Sequence, residues 1–582
     1  MLAVCLLVSP SASAYDFMVG GLCYNKNSDG NTVTVTYERT IQPYYTALSG
    51  ALTIPASVTN GGKTYSVTAI DANAFRGCTG LTAVTVPNTV ASVGNYAFQG
   101  CTAIAKLTWN AANCAGFSFG STHPFYAVTS VKSVVFGSTV TKIPNYLCAD
   151  FINLTSIDWG TGVKDIGIGA FQGCTALTAV TIPAQVSNVG HSVFQGCSAL
   201  KTVNWNAENC NNGWSGSPFS GCDIRSFVIG NNVKTITRRL CCYLSGLTSV
   251  TIPSSVTDIG EGAFCGCAGL TAMTVGSNVS VIGAEAFKDC TGLTAVTIPG
   301  ATTRILNDAF MGCTNLTRVN ISDLAAWCNI TFDNSRSNPL YCAHELYLNG
   351  SKVTDLVIPS TLSGVKANTF YNCTSLNRVT IPNSVTSVAS SAFRGCTGLS
   401  QVDWDVPACS DYAVKSFAPF DGLTNIKTFL LGNSVTKIPA FLCYGLSGLT
   451  TLSIPSTVTA IGGGAFGDCS GLVRINNLAT TPQPIASSVF EGVDQPNCLL
   501  MVPQASLPAY KEANVWKEFL VGFRGDVNGD GAVTSSDIAC IVNVLAGLDD
   551  TKQIKVRADV NGEGEVTAAD VADVVNILAG ID

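Results

Sequence analysis

The phrase Ala263-Phe264-Cys265-Gly266-Cys267 returns as Ala286-Phe287-Lys288-Asp289-Cys290 and again as Ala309-Phe310-Met311-Gly312-Cys313. Successive copies are 23 residues apart, and the sequence between them is rich in Leu, Val and Ile. The same spacing separates three further phenylalanine pairs: Phe75 and Phe98, Phe171 and Phe194, and Phe370 and Phe393. A fixed apolar period of this length predicts a solenoid, in which each repeat forms one coil and neighbouring coils stack to bury their apolar faces.

Each coil is predicted to contain a short strand and a turn of helix. In Val180-Thr181-Ile182-Pro183 the side chains alternate inward and outward, and the proline ends the pairing. A second strand-like stretch, Val279–Ile282, leads through Gly283 into a helical turn that carries Phe287. The predicted fold class is a leucine-rich repeat solenoid with a β-rich N-terminal cap and a small α-helical domain after it.

Many of the 25 cysteines lie three residues after the repeat phenylalanine, in one inward slot of successive coils. Stacked coils are about 4.8 Å apart, which exceeds the usual Cβ separation of about 3.8 Å in a disulfide. We therefore expect mostly reduced, buried thiols that act as small apolar fillers. The cysteines in this slot are Cys78, Cys101, Cys174, Cys197, Cys267, Cys290, Cys313, Cys373, Cys396 and Cys469.

Three coils exchange the large and the small residue of this pair. Cys148, Cys241 and Cys443 occupy the phenylalanine slot of their coils. Their cysteine slots hold Phe151, Leu244 and Leu446. The exchange approximately conserves core volume, which packing tolerates and a disulfide framework would not.

The outward strand positions carry threonine in many coils, which predicts a threonine-lined face. One interpretation is the ordinary β-propensity of threonine on a solvated strand, and the other is a ligand-facing surface. These threonines are Thr85, Thr181, Thr251, Thr274, Thr297 and Thr380.

Related insertions follow Trp109, Trp205 and Trp404, and a different insertion spans Ser322–Lys352. The tryptophans replace the strand isoleucine, so we expect them in the core. Aromatic residues beyond them are candidates for a binding edge, because loops vary and carry function. These candidates are Phe117, Phe119, Tyr126, Trp214 and Tyr412.

Charge is unevenly distributed along the chain. Of the 38 acidic and 31 basic residues, 11 acidic and 3 basic residues lie in 526–582, so the remainder is nearly neutral. No basic region suggests nucleic-acid binding, and no apolar run is long enough for a transmembrane helix. Residues 1–14 resemble a signal peptide with an Ala-x-Ala cleavage site, which predicts export.

We predict five segments. After the signal peptide 1–14, residues 15–64 form a β cap with a hairpin around Asn27–Gly30, and residues 65–476 form the solenoid with its insertions. Residues 477–522 form a second cap with a strand at Cys498–Pro503 and a helix at Ala509–Leu520. Residues 523–582 form a separate acidic module.

The repeat consensus Ala-Phe-x-Gly-Cys-Thr-x-Leu-Thr-x-Val-Thr-Ile-Pro resembles the BspA-like leucine-rich repeat family over residues 65–520. The resemblance implies an exported bacterial surface protein, often an adhesin that binds host matrix proteins or other cells. It implies no catalytic residues and no particular ligand.

The acidic module contains a loop with oxygen donors at the spacing that calcium requires. Calcium prefers six to eight oxygen ligands, and the sharp turn at position 6 of such a loop requires glycine, here Gly531. Ala532 would contribute its backbone carbonyl, and Thr534 could bind through water. The predicted ligands are Asp526, Asn528, Asp530, Ala532, Thr534 and Asp537.

The loop recurs 33 residues later, with Gly564 at position 6. The sequence therefore predicts two calcium ions, each bound by a loop that precedes an apolar helix. Glu563 at position 5 is longer than the usual Asp or Asn, which favours a weaker second site. The predicted ligands of the second loop are Asp559, Asn561, Glu563, Glu565, Thr567 and Asp570.

Two such loops, each with Asp at position 12, resemble a type I dockerin. The resemblance implies that a cohesin module on another protein is the partner. Ser535 and Ser536 stand where the family has partner-recognition residues, and the second repeat has Ala568 and Ala569 there. Because the pairs differ, the two repeats are not expected to dock equivalently.

Candidate catalytic groups are sparse. Gly116-Phe-Ser118-Phe-Gly120 with nearby His123 matches a nucleophile elbow, but that motif requires an α/β sheet rather than a solenoid loop. Cys265 and Cys267 lack zinc-site spacing. We therefore predict no enzymatic activity, with a hydrolase as the least favoured alternative.

We interpret the chain as a secreted or cell-surface binding protein. Its solenoid would bind a host or neighbouring-cell protein or glycan, and its calcium-loaded dockerin would bind a cohesin. The alternative is an accessory component of a polysaccharide-degrading, cellulosome-like assembly. A stacked scaffold is compatible with many ligands.

Overall fold

The computed structural model describes residues 14–40, 44–45, 47–120, 122–210 and 216–581. The chain divides into two compact units, Met1–Thr294 with Gly312–Thr314, and Ala295–Met311 with Asn315–Asp582. Trp214 and all but the last residue of the predicted signal peptide lie outside the described residues.

The first unit contains strands β1 to β22. In chain order they are Phe17–Val19, Leu22–Lys26, Thr32–Thr36, Ser49–Thr53, Ser57–Asn60, Lys63–Ile70, Gly80–Val86, Ser92–Val93, Lys106–Trp109, Ser133–Phe136, Lys142–Ile143, Ser156–Asp158, Asp165–Ile166, Ala179–Ile182, Asn188–Val189, Thr202–Trp205, Ser226–Ile229, Thr235–Ile236, Ser249–Thr251, Asp258–Ile259, Ala272–Thr274 and Val281–Ile282.

The first unit begins with a sheet in the order β1-β2-β3-β6-β5. The predicted hairpin is confirmed, because β2 and β3 are antiparallel, with Lys26 opposite Val33. The backbone N–H of Asn27 donates to the carbonyl of Thr32 at 3.0 Å and closes the turn.

Parallel pairing then stacks the coils of the first unit. The longer strands pair in the orders β4-β7-β9-β10-β12 and β14-β16-β17, and the two-residue strands in the order β11-β13-β15. Val180 lies opposite Val203, and Ile182 lies opposite Trp205, so equivalent positions of neighbouring coils meet. This register buries every second side chain of a strand and exposes the others.

The second unit contains strands β23 to β40. In chain order they are Ala295–Thr297, Arg304–Ile305, Arg318–Ile321, Thr331–Phe332, Leu346–Leu348, Ser351–Lys352, Asp355–Val357, Gly364–Val365, Arg378–Ile381, Ser387–Val388, Gln401–Trp404, Thr428–Leu431, Lys437–Ile438, Thr451–Ile454, Ala460–Ile461, Arg474–Asn477, Leu499–Met501 and Leu520–Gly522.

The second unit also contains the α-helices. They are α1 Leu324–Cys328, α2 Leu340–Ala343, α3 Leu507–Glu512, α4 Ser535–Leu545, α5 Lys552–Ala558 and α6 Ala568–Ala579. An eight-stranded sheet runs in the order β29-β31-β33-β34-β36-β38-β39-β40.

The end of this sheet differs from the prediction in one element. The strand expected at Cys498–Pro503 is present as β39, but the helix expected at Ala509–Leu520 is α3, which begins and ends earlier. The helix ends at Glu512 because Ala513 has an extended backbone with a ψ of 136°, and Val515 after it has a φ of 68°. Trp516 is buried beyond this break, and its indole N–H donates to the carbonyl of Gln483 at 2.8 Å.

The repeat phenylalanines stack through the core, as the rings of Phe264 and Phe287 do at 5.5 Å and 4°. In the adjacent slot the cysteine thiols do more than fill space. The thiol of Cys290 donates to the carbonyl of Phe264 at 3.1 Å. In the same way, the thiol of Cys396 donates to the carbonyl of Phe370 at 3.1 Å. Each thiol therefore ties its coil to the preceding phenylalanine slot.

This thiol hydrogen bond also confirms the exchanged coils. The thiols of Cys174, Cys267 and Cys469 donate to the carbonyls of Cys148, Cys241 and Cys443 at 3.3, 2.9 and 3.0 Å. The accepting carbonyl is therefore in the phenylalanine slot although the residue is cysteine. The exchanged large residues Phe151, Leu244 and Leu446 are buried.

The core position predicted for the three insertion tryptophans is confirmed. Trp109, Trp205 and Trp404 are at most 1% exposed. Trp109 pairs with Val86 in one neighbouring strand and with Phe136 in the other. The tryptophans thus anchor their insertions from within the sheet.

Candidate functional site

The acidic module is built on three helices. Helices α4 and α6 follow the two loops, as predicted, and α5 between them was not predicted. Thr534 and Thr567 cap α4 and α6, and the side chain of the Asp three residues later accepts from each cap's backbone N–H. The core of the module is formed by Val527, Ile541, Ala558, Val560 and Val574.

The apolar residues of α4 and α6 do not all face this core. Ile541 and Val574 are completely buried, but Val542, Leu545 and Leu578 keep 45–48% of their surface exposed. In the apolar helix predicted after the first loop, Val542 and Leu545 therefore turn outward, away from the core. The exposed apolar residues are related by 33 positions: Val542 and Val575, Leu545 and Leu578, and Leu548 and Ile581.

The first loop brings its predicted ligands into one turn. The carboxylate of Asp537 accepts hydrogen bonds from the backbone N–H groups of Val527, Asn528 and Thr534 at 2.8–3.0 Å. The backbone N–H of Gly531 donates to Oδ2 of Asp526 at 3.3 Å. These bonds orient carboxylates at both ends of the loop toward its interior.

One oxygen of this loop is buried without a hydrogen-bond partner among the described residues. It is Oδ1 of Asp526, whose side chain is 4% exposed. Burial raises the pKa of Asp526 above its ordinary value, because the charged form is desolvated. A buried, unsatisfied carboxylate oxygen beside Asn and Asp side chains fits a calcium ion.

The second loop repeats most of this geometry. The carboxylate of Asp570 accepts from the backbone N–H groups of Asn561 at 3.1 Å and Thr567 at 2.7 Å. Oδ2 of Asp559 accepts from the backbone N–H of Gly564 at 3.1 Å. Unlike Asp526, Asp559 also receives a bond at Oδ1, from the backbone N–H of Gly562 at 2.9 Å.

The longer side chain of Glu563 is exposed and hydrogen-bonded to another residue of the second loop. Its Oε1 accepts from the hydroxyl of Thr567 at 3.1 Å. Across the described residues, no three His, Cys, Asp or Glu side chains gather into a group that could hold a metal by themselves. Calcium at either loop would therefore also require the Asn, Thr and backbone oxygens of that loop.

The residues predicted to recognise a partner are accessible. Ser535, Ser536, Ala568 and Ala569 are all exposed at the N-terminal ends of α4 and α6. The side-chain amide of Asn528 donates to the hydroxyl of Ser536 at 3.1 Å, so the serine is linked to the first loop. The alanines offer no such hydrogen bond, which keeps the two repeats chemically different.

The aromatic candidates on the insertions separate into exposed and buried residues. Phe119 and Tyr126 are 49% and 42% exposed, whereas Phe117 packs against Trp109. Tyr412 is 9% exposed, and its hydroxyl donates to the carbonyl of Val388 at 3.0 Å. Tyr412 is therefore a packing residue and not part of an exposed edge.

The outward threonines lie where the sequence indicated, on exposed or half-buried strand positions. Some bond to the next coil, as when the amide of Asn204 donates to the hydroxyl of Thr181 at 3.1 Å. In the second unit the hydroxyl of Thr380 donates to the carboxylate of Asp403 at 3.0 Å. These strand positions therefore carry hydroxyl, amide and carboxylate groups.

The sequence motif with a serine and a nearby histidine does not form a catalytic pair. His123 is 5% exposed, and its Nδ1 accepts from the backbone N–H of Phe125 at 3.1 Å. Burial lowers the pKa of His123 to about 4, so the ring is neutral at pH 7. Phe117 and Phe125 surround the ring, so it is a core residue.

Solved structures with similarity to the chain include several bacterial leucine-rich repeat proteins. One from Bacteroides ovatus is 24% identical, with 80% of this chain and 94% of the other covered and a TM-score of 0.34. A leucine rich cell surface protein from Faecalibacterium prausnitzii is 22% identical, with 79% and 94% covered and a TM-score of 0.23. One from Bacteroides capillosus is 26% identical, with 32% and 96% covered and a TM-score of 0.17.

Family models account for most of the chain, although no curated protein matches it. Within the described part of the chain, no helix has the length and apolarity to cross a membrane. The BspA type leucine rich repeat region matches residues 56–119, 120–241, 214–338 and 343–473, and the dockerin type I domain matches residues 524–579. The chain therefore belongs to the BspA type leucine rich repeat family and carries a dockerin type I domain.

Proposed function

We propose that this chain is a secreted or cell-surface binding protein without enzymatic activity, whose calcium-loaded dockerin docks to a cohesin module on another protein. The observation that carries the proposal is the repetition of one arrangement at a distance of 33 residues. Each copy combines an oxygen-rich loop, a capped helix and exposed apolar residues. Dockerin type I domains bind calcium, and their partners are cohesins.

Each loop would hold one calcium ion, which gives two ions in total. Asp526, Asn528, Asp530 and Asp537 would supply side-chain oxygens in the first loop, with the carbonyl of Ala532 and the hydroxyl of Thr534. The equivalent residues, from Asp559 to Asp570, would serve the second. Calcium supplies the positive charge that the desolvated carboxylates require, and the folded loops then orient α4 and α6.

The exposed apolar residues of the two helices form the proposed cohesin surface. Val542 and Leu545 on α4, and Val575 and Leu578 on α6, are each exposed by 45–48%, and Leu548 and Ile581 beyond them are exposed further, whereas the other apolar residues of the module pack against its core. Apolar side chains exposed together on a small domain indicate a protein interface. Ser535 and Ser536 would add hydrogen bonds on the first repeat alone.

The solenoid would bind a protein or a glycan, and its candidate surfaces are the threonine face and the exposed Phe119 and Tyr126. Exposed aromatic rings suit flat apolar faces of a ligand. The dockerin equally supports a second candidate function, an accessory component of a polysaccharide-degrading, cellulosome-like assembly. In that function the solenoid would direct the assembly to its target.

A calorimetric titration with a cohesin module from the same genome tests the proposed surface. In calcium, Val542→Asp with Leu545→Asp, or the equivalent pair Val575→Asp with Leu578→Asp, should weaken cohesin binding at least about tenfold, because charge enters an apolar contact. Val228→Asp is the matched control, since Val228 is 51% exposed on the solenoid. Cohesin binding that neither pair weakens would contradict the proposed surface.

A further inference from the structure

Arg474 is a buried charged residue at a position where another arginine is exposed. It is the first residue of β38, and its side chain is 6% exposed. Arg378, the first residue of β31 in the same sheet, keeps 48% of its side chain exposed and pairs with Asp403. Burying a guanidinium costs free energy unless it is paired, so the surroundings of Arg474 require explanation.

The group that buries and pairs Arg474 is the second calcium loop. Nη1 of Arg474 donates to the backbone carbonyl of Asp559 and lies 3.6 Å from Oδ2 of the same residue. A Cβ atom on Gly562 would lie 3.2 Å from that Nη1, so the loop backbone approaches the guanidinium closely. Burial lowers the pKa of Arg474, and the Asp559 charge opposes this shift.

Helix α5 extends the contact along the terminal coils. Nζ of Lys552 lies 3.3 Å from Oδ2 of Asp494. The amide of Gln553 donates to the carbonyl of Pro496, and the guanidinium of Arg557 donates to the carbonyl of Val521, both at 3.5 Å. These bonds are long and partly exposed, so Arg474 is the buried centre of the contact.

We propose that residues 552–562 of the dockerin dock on the solenoid through Arg474, and that Arg474 competes with calcium for the carboxylate of Asp559. The competition rests on the second calcium site proposed above. Asp559 is position 1 of its loop, and a cation held against it neutralises the charge that would attract calcium. The first loop also has an arginine near position 1, because the charge of Arg557 acts on Asp526, but Arg557 belongs to the dockerin itself, so only the second loop contacts a cation of the solenoid.

This arrangement makes the two calcium loops unequal. Asp526 is near the dockerin's own Arg557, whereas Asp559 contacts an arginine of the solenoid, and the second loop also contains the longer Glu563 at position 5. Calcium should therefore fill the first loop before the second. It follows that loading the second loop loosens the contact between the dockerin and the terminal coils.

The test uses the full chain with Arg474→Gln and, to retain packing of the side-chain stem, Arg474→Met. Hydrogen exchange of residues 552–562 without calcium should become about tenfold faster in both variants. The weaker of the two calcium sites in a calorimetric titration should become about tenfold tighter. The control Arg378→Gln removes the same charge from the equivalent strand position and should leave both measurements unchanged.

Unchanged exchange in residues 552–562 would overturn the docking proposal whatever the calcium titration gives. Faster exchange with unchanged calcium affinities would overturn the competition. If the wild-type chain binds one calcium ion and Asp559→Ala still binds it, the second calcium site and the competition are both wrong. In that case the hydrogen exchange of residues 552–562 still tests the docking contact by itself.

Discussion

Exchanging the phenylalanine and the cysteine of one coil should restore stability that either single substitution removes. Phe264 and Cys267 are both fully buried, and the ring of Phe264 stacks on that of Phe287 at 5.5 Å. The coil with Cys148 and Phe151 already has the exchanged arrangement, with both residues fully buried. The double variant Phe264→Cys with Cys267→Phe therefore copies a packing solution that the chain itself uses.

The expected magnitudes follow from the core positions of the two side chains. Phe264→Cys leaves a cavity and should lower the free energy of unfolding by about 2–4 kcal/mol. This loss is smaller than that of a phenylalanine-to-alanine substitution, because the sulfur fills part of the space. Cys267→Phe overfills its slot and should cost about 1–3 kcal/mol. The double variant should lie within about 1 kcal/mol of the wild type, because total core volume is conserved.

Native-state hydrogen exchange of residues 259–270 measures the free energy of local unfolding of this coil. A local measurement is necessary because repeat arrays do not unfold in a single step. The backbone N–H of Cys267 is a direct reporter, since it donates to the carbonyl of Phe264 at 3.2 Å. If the double variant loses as much free energy of unfolding as the two single variants together, the two slots are not exchangeable.

Three further predictions concern calcium and pH. Asp526→Ala with Asp537→Ala should remove one calcium ion in a calorimetric titration and leave the far-ultraviolet circular dichroism of the coils unchanged; loss of the coil signal would contradict a separate dockerin module. Glu563→Asp should tighten the second calcium site several-fold, because the shorter side chain is the usual ligand at position 5, and an unchanged or weaker site in the same titration would contradict this. The pKa of His123 is lowered to about 4 in the folded chain, below its value of about 6.5 in the unfolded chain. The folded state is therefore more stable by about 3 kcal/mol above pH 6.5, where the ring is neutral in both states, and this stability is lost as the pH falls toward 4. Hydrogen exchange around residues 116–125 should therefore accelerate over this pH range in the wild type and less in His123→Leu; equal acceleration in both would contradict it.

The repeated core could be predicted from the sequence because each slot recurs with the coil. Phe264, Cys290 and Trp205 follow the 23-residue period, and the parallel register places equivalent residues opposite one another. The thiol hydrogen bonds were not predicted. They depend on the direction of a carbonyl in the preceding coil, which periodicity does not specify.

Predictions failed where a single local contact decides the structure. Tyr412 lies on an insertion, but its hydroxyl reaches the carbonyl of Val388, so the ring is buried. The helix predicted to reach Leu520 ends at Glu512 because Ala513 adopts an extended backbone. Val542 fits the helical apolar period but faces outward, because the dockerin is too small to bury every apolar residue of its helices.

The loop ligands of the dockerin, which stay a prediction, were inferred from a spacing that is short and local. The contact between Arg474 and Asp559 could not be predicted, because 85 residues separate them and strand arginines elsewhere pair within the solenoid. Helix α5 was not predicted for a different reason. Its sequence, KQIKVRA, has only a weak apolar pattern.

Calcium-dependent docking is tested most directly by a calorimetric titration of the full chain with a cohesin module from the same genome, in calcium and again after chelation with EGTA. We expect tight binding in calcium and loss of binding by at least about a hundredfold after chelation, because the empty loops no longer orient α4 and α6. Binding of equal strength without calcium, or no binding in calcium, would contradict a calcium-dependent docking function.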